Sequence, residues 1–225
     1  MAIVRTEKLC KVYSTGKVET VALKDVSISA SKGEFTALVG PSGSGKTTLL
    51  NLIGGLDRPS SGDVFIGDEK ISAMKSGKLS DLRLHRIGFI FQEYNLIPVL
   101  SAVENVEYVM LLQGLSRKDR RERSLKILDE VGLSGKEHSR PNELSGGQQQ
   151  RVAVARAVVS KPEIILADEP TANLDSETGS ELMKMMLRLN EEYEITFLLS
   201  THEKMVMDMC KRVIRLKDGH VIDGG

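Results

Sequence analysis

The sequence predicts an α/β fold built on a largely parallel sheet, on three observations. Short β-rich runs alternate with helical patterns along the chain. A glycine-rich loop, Gly40 to Gly45, joins one such run to a helical one, and the middle of the chain carries helical patterns with no strand between them. Residues 21–30 alternate apolar and polar side chains and read as a half-buried strand; 35–39, 88–91, 164–167 and 195–199 read as more deeply buried ones. Helices are expected over 101–112, 117–131 and 148–160, a helical lobe inserted into the α/β core. Ser116 with Asp119 supplies an N-cap and an acidic first turn, and Gly132 a stop. A last strand is expected near 220–223. Neither a low-complexity linker nor an internal repeat interrupts the chain, so the lobes should fold as one unit.

Composition excludes several classes. Among 225 residues, 31 Lys+Arg balance 31 Asp+Glu, which argues against a polyanion binder driven by bulk charge. With 40% apolar and 28% charged residues the chain is globular rather than disordered. Two distant cysteines, Cys10 and Cys210, give no disulfide framework and fit a reducing compartment, the cytosol; both are expected to be buried and inert. No apolar run approaches the length needed to cross a bilayer, and the first ten residues lack the apolar segment of a secretory signal.

The chemistry begins at Gly40-Pro41-Ser42-Gly43-Ser44-Gly45-Lys46-Thr47, a full match to G-x-x-x-x-G-K-[ST] between a predicted strand and a predicted helix. Glycines let successive backbone N–H groups wrap phosphate oxygens, and the helix points its positive end at the same anion. Lys46 adds a point charge on the β- and γ-phosphates, and the Thr47 hydroxyl is placed to ligate Mg2+. Downstream, the buried run 164–167 ends in Asp168 and Glu169, at the edge where α/β sheets bind ligands. Alternation separates the two carboxylates: Asp168 would hold the Mg2+ shell, and Glu169 would orient and deprotonate the attacking water. A third signal, Leu144-Ser145-Gly146-Gly147-Gln148, heads an Ala/Val-rich helix with free N–H groups and forms a second anion site. One nucleotide rarely needs two such cradles in one lobe.

Together these motifs resemble the ATP-binding subunits of ABC transporters, over nearly the whole chain. The resemblance implies a P-loop NTPase (RecA-like) core with an N-terminal antiparallel β portion and an inserted helical lobe. It implies a single domain over 1–225, with 1–92 and 162–225 as the ATP-binding core and 93–161 as the lobe. In that family the signature of one subunit closes over the nucleotide held by another, so Ser145, Gly146, Gly147 and Gln148 would cap a partner's ATP. Tyr13 matches the aromatic that stacks on adenine, and residues 40–48, Thr48 included, cradle the phosphates. Gln92 matches the glutamine that reaches metal and water while its loop senses the transport partner. Asp175, in Ala172-Asn173-Leu174-Asp175, falls in the loop that crosses the dimer interface, and His202 matches the histidine that contacts the γ-phosphate.

Further stretches narrow the resemblance. Leu9-Cys10-Lys11-Val12-Tyr13, Gly54-Gly55-Leu56-Asp57 with Ser61-Gly62-Asp63, Phe91-Gln92 followed by Asn95-Leu96-Ile97-Pro98, and Glu104-Asn105-Val106 are similar to the branch holding lipoprotein-release (LolD-type), macrolide-export (MacB-type) and cell-division (FtsE-type) ATPases. That branch implies a mechanotransmitting motor, dimerised around two MgATP, that drives a permease; MacB-type members carry their membrane segment on the same chain and this sequence has none, so a separate permease chain is expected. The permease would contact residues 92–112, with Leu96, Ile97 and Val99 supplying apolar contact, and the ATPase would sit at the cytoplasmic face of the cell membrane. Its second subunit would be another copy or a homologous ATPase. Ala172 stands where many branch members have Gly, and Glu203 where Asp is common. Other readings are a soluble ABC protein, an ATP-dependent clamp, and a small-molecule kinase that would leave the Ser145–Gln148 signature unexplained. The charge run 118–123 reads as a solvated helix face, and Met183, Met185, Met186, Met205, Met207 and Met209 as adaptable packing rather than a copper site.

Overall fold

A computed structural model describes residues 2–16 and 18–224; Met1, Lys17 and Gly225, and with them the two ends of the expected domain, lie outside the described residues. In chain order the elements are β1 (Ala2–Thr15), β2 (Val18–Val26), β3 (Ser29–Ser31), β4 (Phe35–Val39), α1 (Lys46–Ile53), β5 (Ser61–Ile66), β6 (Glu69–Lys70), α2 (Ser76–Arg86) and β7 (Ile87–Ile90). There follow α3 (Ala102–Leu112), α4 (Arg117–Glu130), α5 (Gly146–Val158), β8 (Ile164–Asp168), α6 (Ser176–Tyr193), β9 (Thr196–Thr201), α7 (Lys204–Met209), β10 (Arg212–Lys217) and β11 (His220–Asp223).

Two sheets form. The larger runs β11-β10-β4-β9-β8-β7, parallel throughout except for the antiparallel edge strand β11. The smaller is antiparallel, β2-β1-β5-β6, with β3 paired to β1. The single strand expected over 21–30 is thus two. The break falls after Val26, where the buried Thr6 hydroxyl donates to the Val26 carbonyl at 3.1 Å and accepts from the Ile28 amide at 3.0 Å. That exchange lets β2 and β3 pair with different stretches of β1.

Alternation along the parallel strands divides the interior. Phe35, Ala37 and Val39 of β4, with Ile165 and Ala167 of β8, face the helical lobe; Leu38, Ile164 and Leu166 face α1 and the antiparallel sheet. Phe35 stacks at a tilt on Phe197, centroids 5.2 Å apart. Val103, Val106 and Met110 of α3, Ile127 and Leu128 of α4, and Val152 and Ala155 of α5 belong to the first of these cores. Each large apolar side chain among them, fully withdrawn from water, contributes roughly 1.5–3 kcal/mol, so the inserted helices are welded to the sheet rather than tethered to it.

Caps explain the helix starts. Ser101 and Glu104 form a reciprocal capping box at α3, and Ser116 accepts from the Asp119 amide at 3.2 Å. Asn105, fully buried, accepts from the Ile97 amide at 2.8 Å and donates to the carbonyls of Ile97, Leu100 and Ser101, which fixes the chain entering α3.

Three minor expectations change. Cys10 and Cys210 are half-buried, not buried. Within the charge run, Arg120 and Arg121 turn inward enough to reach Glu107 of α3, at 3.8 and 3.2 Å. Leu96, expected to meet a partner, packs on the core, whereas Val99 is 73% exposed.

Candidate active site

Residues 40–48 leave the buried end of β4 and turn into α1. The turn is glycine-dependent: Gly43 and Gly45 have φ of +78° and +101°, and a Cβ on Gly45 would come 2.7 Å from both the Ala22 carbonyl oxygen and Leu23 Cδ2. Lys46 is almost fully buried, and its Nζ donates to the carbonyls of Gly40 at 2.8 Å and Pro41 at 3.3 Å, bracing the loop. The same Nζ lies 3.6 Å from Glu169 Oε1. The Ser44 hydroxyl is buried and, among the described residues, has no protein partner. Above the loop opens a cleft of about 600 Å³, which Gln92, Glu169 and His202 also line.

The far wall is the C-terminal end of the parallel sheet. Asp168 Oδ1 accepts from Thr47 Oγ1 at 3.0 Å and from the buried Ser200 hydroxyl at 2.6 Å. Ser200 Oγ in turn accepts the Glu169 amide at 2.9 Å, so one hydroxyl orients both acidic residues. Glu169 has φ of +46°, a left-handed conformation that side chains adopt at a cost and that concentrates at functional sites. The turn aims its carboxylate across the cleft, where Oε2 lies 3.0 Å from His202 Nδ1. An ionised carboxylate only accepts, so Nδ1 carries the hydrogen of that bond.

The donor set fits a hard divalent cation. Thr47 and Asp168 bring a hydroxyl and a carboxylate oxygen together beside Gln92, an oxygen-only set with few carboxylates, as suits Mg2+ that shares its shell with phosphate and water. Among the described residues no group of three or more His, Cys, Asp or Glu forms an all-protein metal cage.

The signature stands apart from this cleft, whose walls include none of Ser145, Gly146, Gly147 or Gln148. Ser145 caps α5: its hydroxyl accepts the Gln148 amide at 3.3 Å, and Gln148 Oε1 accepts the Ser145 amide at 3.0 Å. A Cβ on Gly146 would lie 2.9 Å from the Tyr94 hydroxyl, and one on Gly147 2.6 Å from the Thr178 methyl. Asp175 caps α6, accepting from the amides of Glu177 and Thr178 and from the Thr178 hydroxyl at 2.7 Å; the Thr178 donors hold its carboxyl below the usual carboxylate range.

Tyr13 also lies off the cleft lining. Its hydroxyl donates to Asp57 at 2.9 Å, the Lys11 amine lies 4.7 Å from its ring centroid, and burial followed by the Asp57 carboxylate pushes the phenol up. Thr20, its neighbour across the β1–β2 pair, lines the cleft with Val21 and Ala22.

The chain therefore gathers Lys46, Thr47, Gln92, Glu169 and His202 in one cleft, with Asp168 bonded to Thr47 behind its lining, and keeps Tyr13, Asp175 and the signature outside it. The sequence reading missed Ser200, although a polar residue directly after the apolar run 195–199, at the end of β9, is a signal for it. It also missed Asn173, whose amide donates to the Gln92 carbonyl at 3.0 Å, and Arg156, which holds the carbonyls of Tyr94 and Asn95.

A family model for ABC transporters matches residues 23–172. The chain belongs to the ABC transporter family. The dimeric cassette MJ0796 of Methanocaldococcus jannaschii, in a post-hydrolysis state bound to ADP and Pi, has a similar structure: TM-score 0.91, 44% identity, 98% of this chain and 97% of that one covered. The lipoprotein-releasing system ATP-binding protein LolD of Idiomarina loihiensis is 42% identical over 97% of this chain and 96% of its own. The macrolide export ATP-binding/permease protein MacB of Mannheimia succiniciproducens is 43% identical over 99% of this chain but 34% of its own length. This ABC protein is thus a transport-coupled ATP hydrolase whose ligands are ATP and Mg2+. No helix among its described residues is long and apolar enough to cross a membrane.

Proposed function

We propose that the chain is the ATP-hydrolysing motor of a LolD/MacB-type complex. Two cassettes close head to tail around two ATP molecules and drive a membrane permease. The observation that carries this reading is the position of the signature: a capped helix start with free N–H groups lies outside the cleft holding Lys46, Glu169 and His202. An anion site that does not serve its own cleft is suited to serve a partner's.

In the proposed reaction the residue 40–48 loop and Lys46 hold the β- and γ-phosphates. Thr47, Asp168 and Gln92 would hold Mg2+, which neutralises phosphate charge when bound. Glu169 takes a proton from water as the water oxygen bonds to the γ-phosphorus, and the bond to the β-phosphate oxygen breaks to leave ADP and phosphate. His202, bonded to Glu169, keeps the carboxylate turned into the cleft and faces the γ-phosphate. Tyr13 stacks on adenine and Asp175 couples the two sites. Residues 1–92 and 162–225 form the ATP-binding core of a single domain, and 93–161 its lobe.

The permease surface is proposed over 92–112, where Val99, Tyr108, Leu111 and Leu112 leave apolar area exposed on the lobe. That contact would hold the ATPase at the cytoplasmic face of the membrane. Complementation tests the head-to-tail site. Lys46→Ala and Ser145→Arg should each be inactive alone, while an equimolar mixture should regain turnover through one intact composite site. A mixture as inactive as its components would overturn the shared site.

A further inference from the structure

Residues Gln92 to Asn95 form a short loop that the rest of the chain grips at three points. Asn173 holds the Gln92 carbonyl at 3.0 Å. Arg156 of α5 holds the carbonyls of Tyr94 and Asn95, Nη2 donating to the first at 2.8 Å and Nη1 to the second at 2.5 Å. The Tyr94 hydroxyl rests against Gly146, whose missing side chain makes room for it. Tyr94 and Asn95 are consecutive residues with φ of +58° and +48°. Two successive non-glycine residues in the left-handed region carry strain and persist only where the surroundings impose it.

Arg156 is suited to impose it. Among the described residues no carboxylate lies within ion-pair distance of it, and burial pulls its guanidinium down. A charged group half withdrawn from water without a counter-ion is best held by dipoles aimed at it. The carbonyls of Tyr94 and Asn95 supply them, and the left-handed turn is what points two successive carbonyls at one planar fork. Arg156 stands on the helix that begins at the signature, about three turns from Ser145.

We propose that Arg156 is a positioning residue that locks the Gln92 loop to the signature helix, so that Gln92 and the Ser145–Gly147 cap shift as one body when the cleft fills. The proposal rests on the head-to-tail reading above. Its specific content is that the fork sustains the left-handed pair, and that the pair sets where α5 presents its cap.

The test uses the purified full chain carrying Glu169→Gln, with dimer formation on adding ATP followed by sedimentation and binding of a fluorescent ATP analogue followed by titration. Adding Arg156→Ala should lower the dimer association constant at least tenfold while changing analogue affinity less than twofold. Arg156→Lys, which keeps the charge and loses the planar fork, should fall between. Asn95→Gly in the Arg156→Ala background should recover a large part of the association, because glycine occupies positive φ without a clamp. Thermal unfolding separates this from general damage, since Arg156→Ala should lower association while the protein still melts cooperatively well above the assay temperature. Equal association with and without the Arg156→Ala substitution, or the failure of Asn95→Gly to recover any, would overturn the proposal. Absence of an ATP-dependent dimer in the Glu169→Gln parent would instead overturn the head-to-tail reading beneath it.

Discussion

The end of the parallel sheet and the start of α5 both serve nucleotide in the proposed dimer, but their polar groups are satisfied differently. At the sheet end, Thr47, Asp168, Ser200, Glu169 and His202 form one continuous chain of hydrogen bonds, each member set by the next. At α5 the capping box satisfies only Ser145 and Gln148, and the turn is positioned from outside by Tyr94 at Gly146 and Thr178 at Gly147. The first region is preorganised by its own bonds; the second is aimed by its neighbours and, in the proposed dimer, completed by a partner. Chemistry should therefore respond to substitutions at the sheet end, and assembly to substitutions around α5.

Glu169→Gln should show the contrast most strongly. Removing the proposed base should lower turnover by about 10²–10⁴-fold and leave ATP binding intact, as measured by phosphate release beside nucleotide titration. Turnover within twofold of the parent would remove Glu169 from the mechanism. Ser200→Ala should come next, at roughly 10–100-fold in activity, with Mg2+ dependence shifted to higher concentration because Asp168 loses its 2.6 Å donor. An unchanged Mg2+ titration would show that Thr47 alone holds Asp168.

Gly147→Ala sharpens the other side. The new Cβ would press on the Thr178 methyl at 2.6 Å, and Thr178 cannot yield freely because its hydroxyl is held by Asp175. Nucleotide affinity should stay within twofold while ATP-dependent dimer formation falls severalfold. Loss of both in equal measure would erase the distinction between the regions.

Smaller effects are expected in the lobe. Ser101→Ala removes the α3 cap and should cost about 1 kcal/mol, or roughly 2–4 °C in melting temperature. The Ser101 amide, then its hydroxyl, hold the Glu104 carboxyl below its ordinary value. Its contribution is therefore whole above the ordinary carboxylate range and fades as pH falls through the lowered value. The difference between parent and Ser101→Ala should shrink on acidification and stay flat above neutrality. Smallest of all is reagent chemistry: burial pushes the Cys210 thiol up to about 12, so near pH ~8 it should alkylate far more slowly than a free thiol, as read by mass spectrometry.

Legibility in the sequence follows the same division. Residues 35–39, 164–167 and the three lobe helices were readable because burial on both faces, or apolar spacing with a cap, leaves a local pattern. Residues 2–15 and 61–66, which build the antiparallel sheet, were not individually readable. Their pairing is long-range, and charged residues such as Arg5, Glu7, Lys8 and Asp63 obscure the alternation. At the site, Lys46, Thr47, Asp168 and Glu169 announced themselves through fixed spacing. Ser200, Asn173 and Arg156 act on groups 32, 81 and 61–62 positions away, and no local motif encodes such contacts.

In the proposed reaction the backbone at Glu169 sets folding and catalysis at odds. A left-handed φ favours glycine or asparagine over glutamate, by about 1–2 kcal/mol for glycine, so the residue best for the turn is one that cannot do the chemistry. Selection of this chain for thermal resistance alone, with no demand for turnover, should enrich Glu169→Gly and yield sturdier, inert cassettes. Persistence of glutamate there under such selection would mean that its contacts with Lys46 and His202 outweigh the strain of the turn.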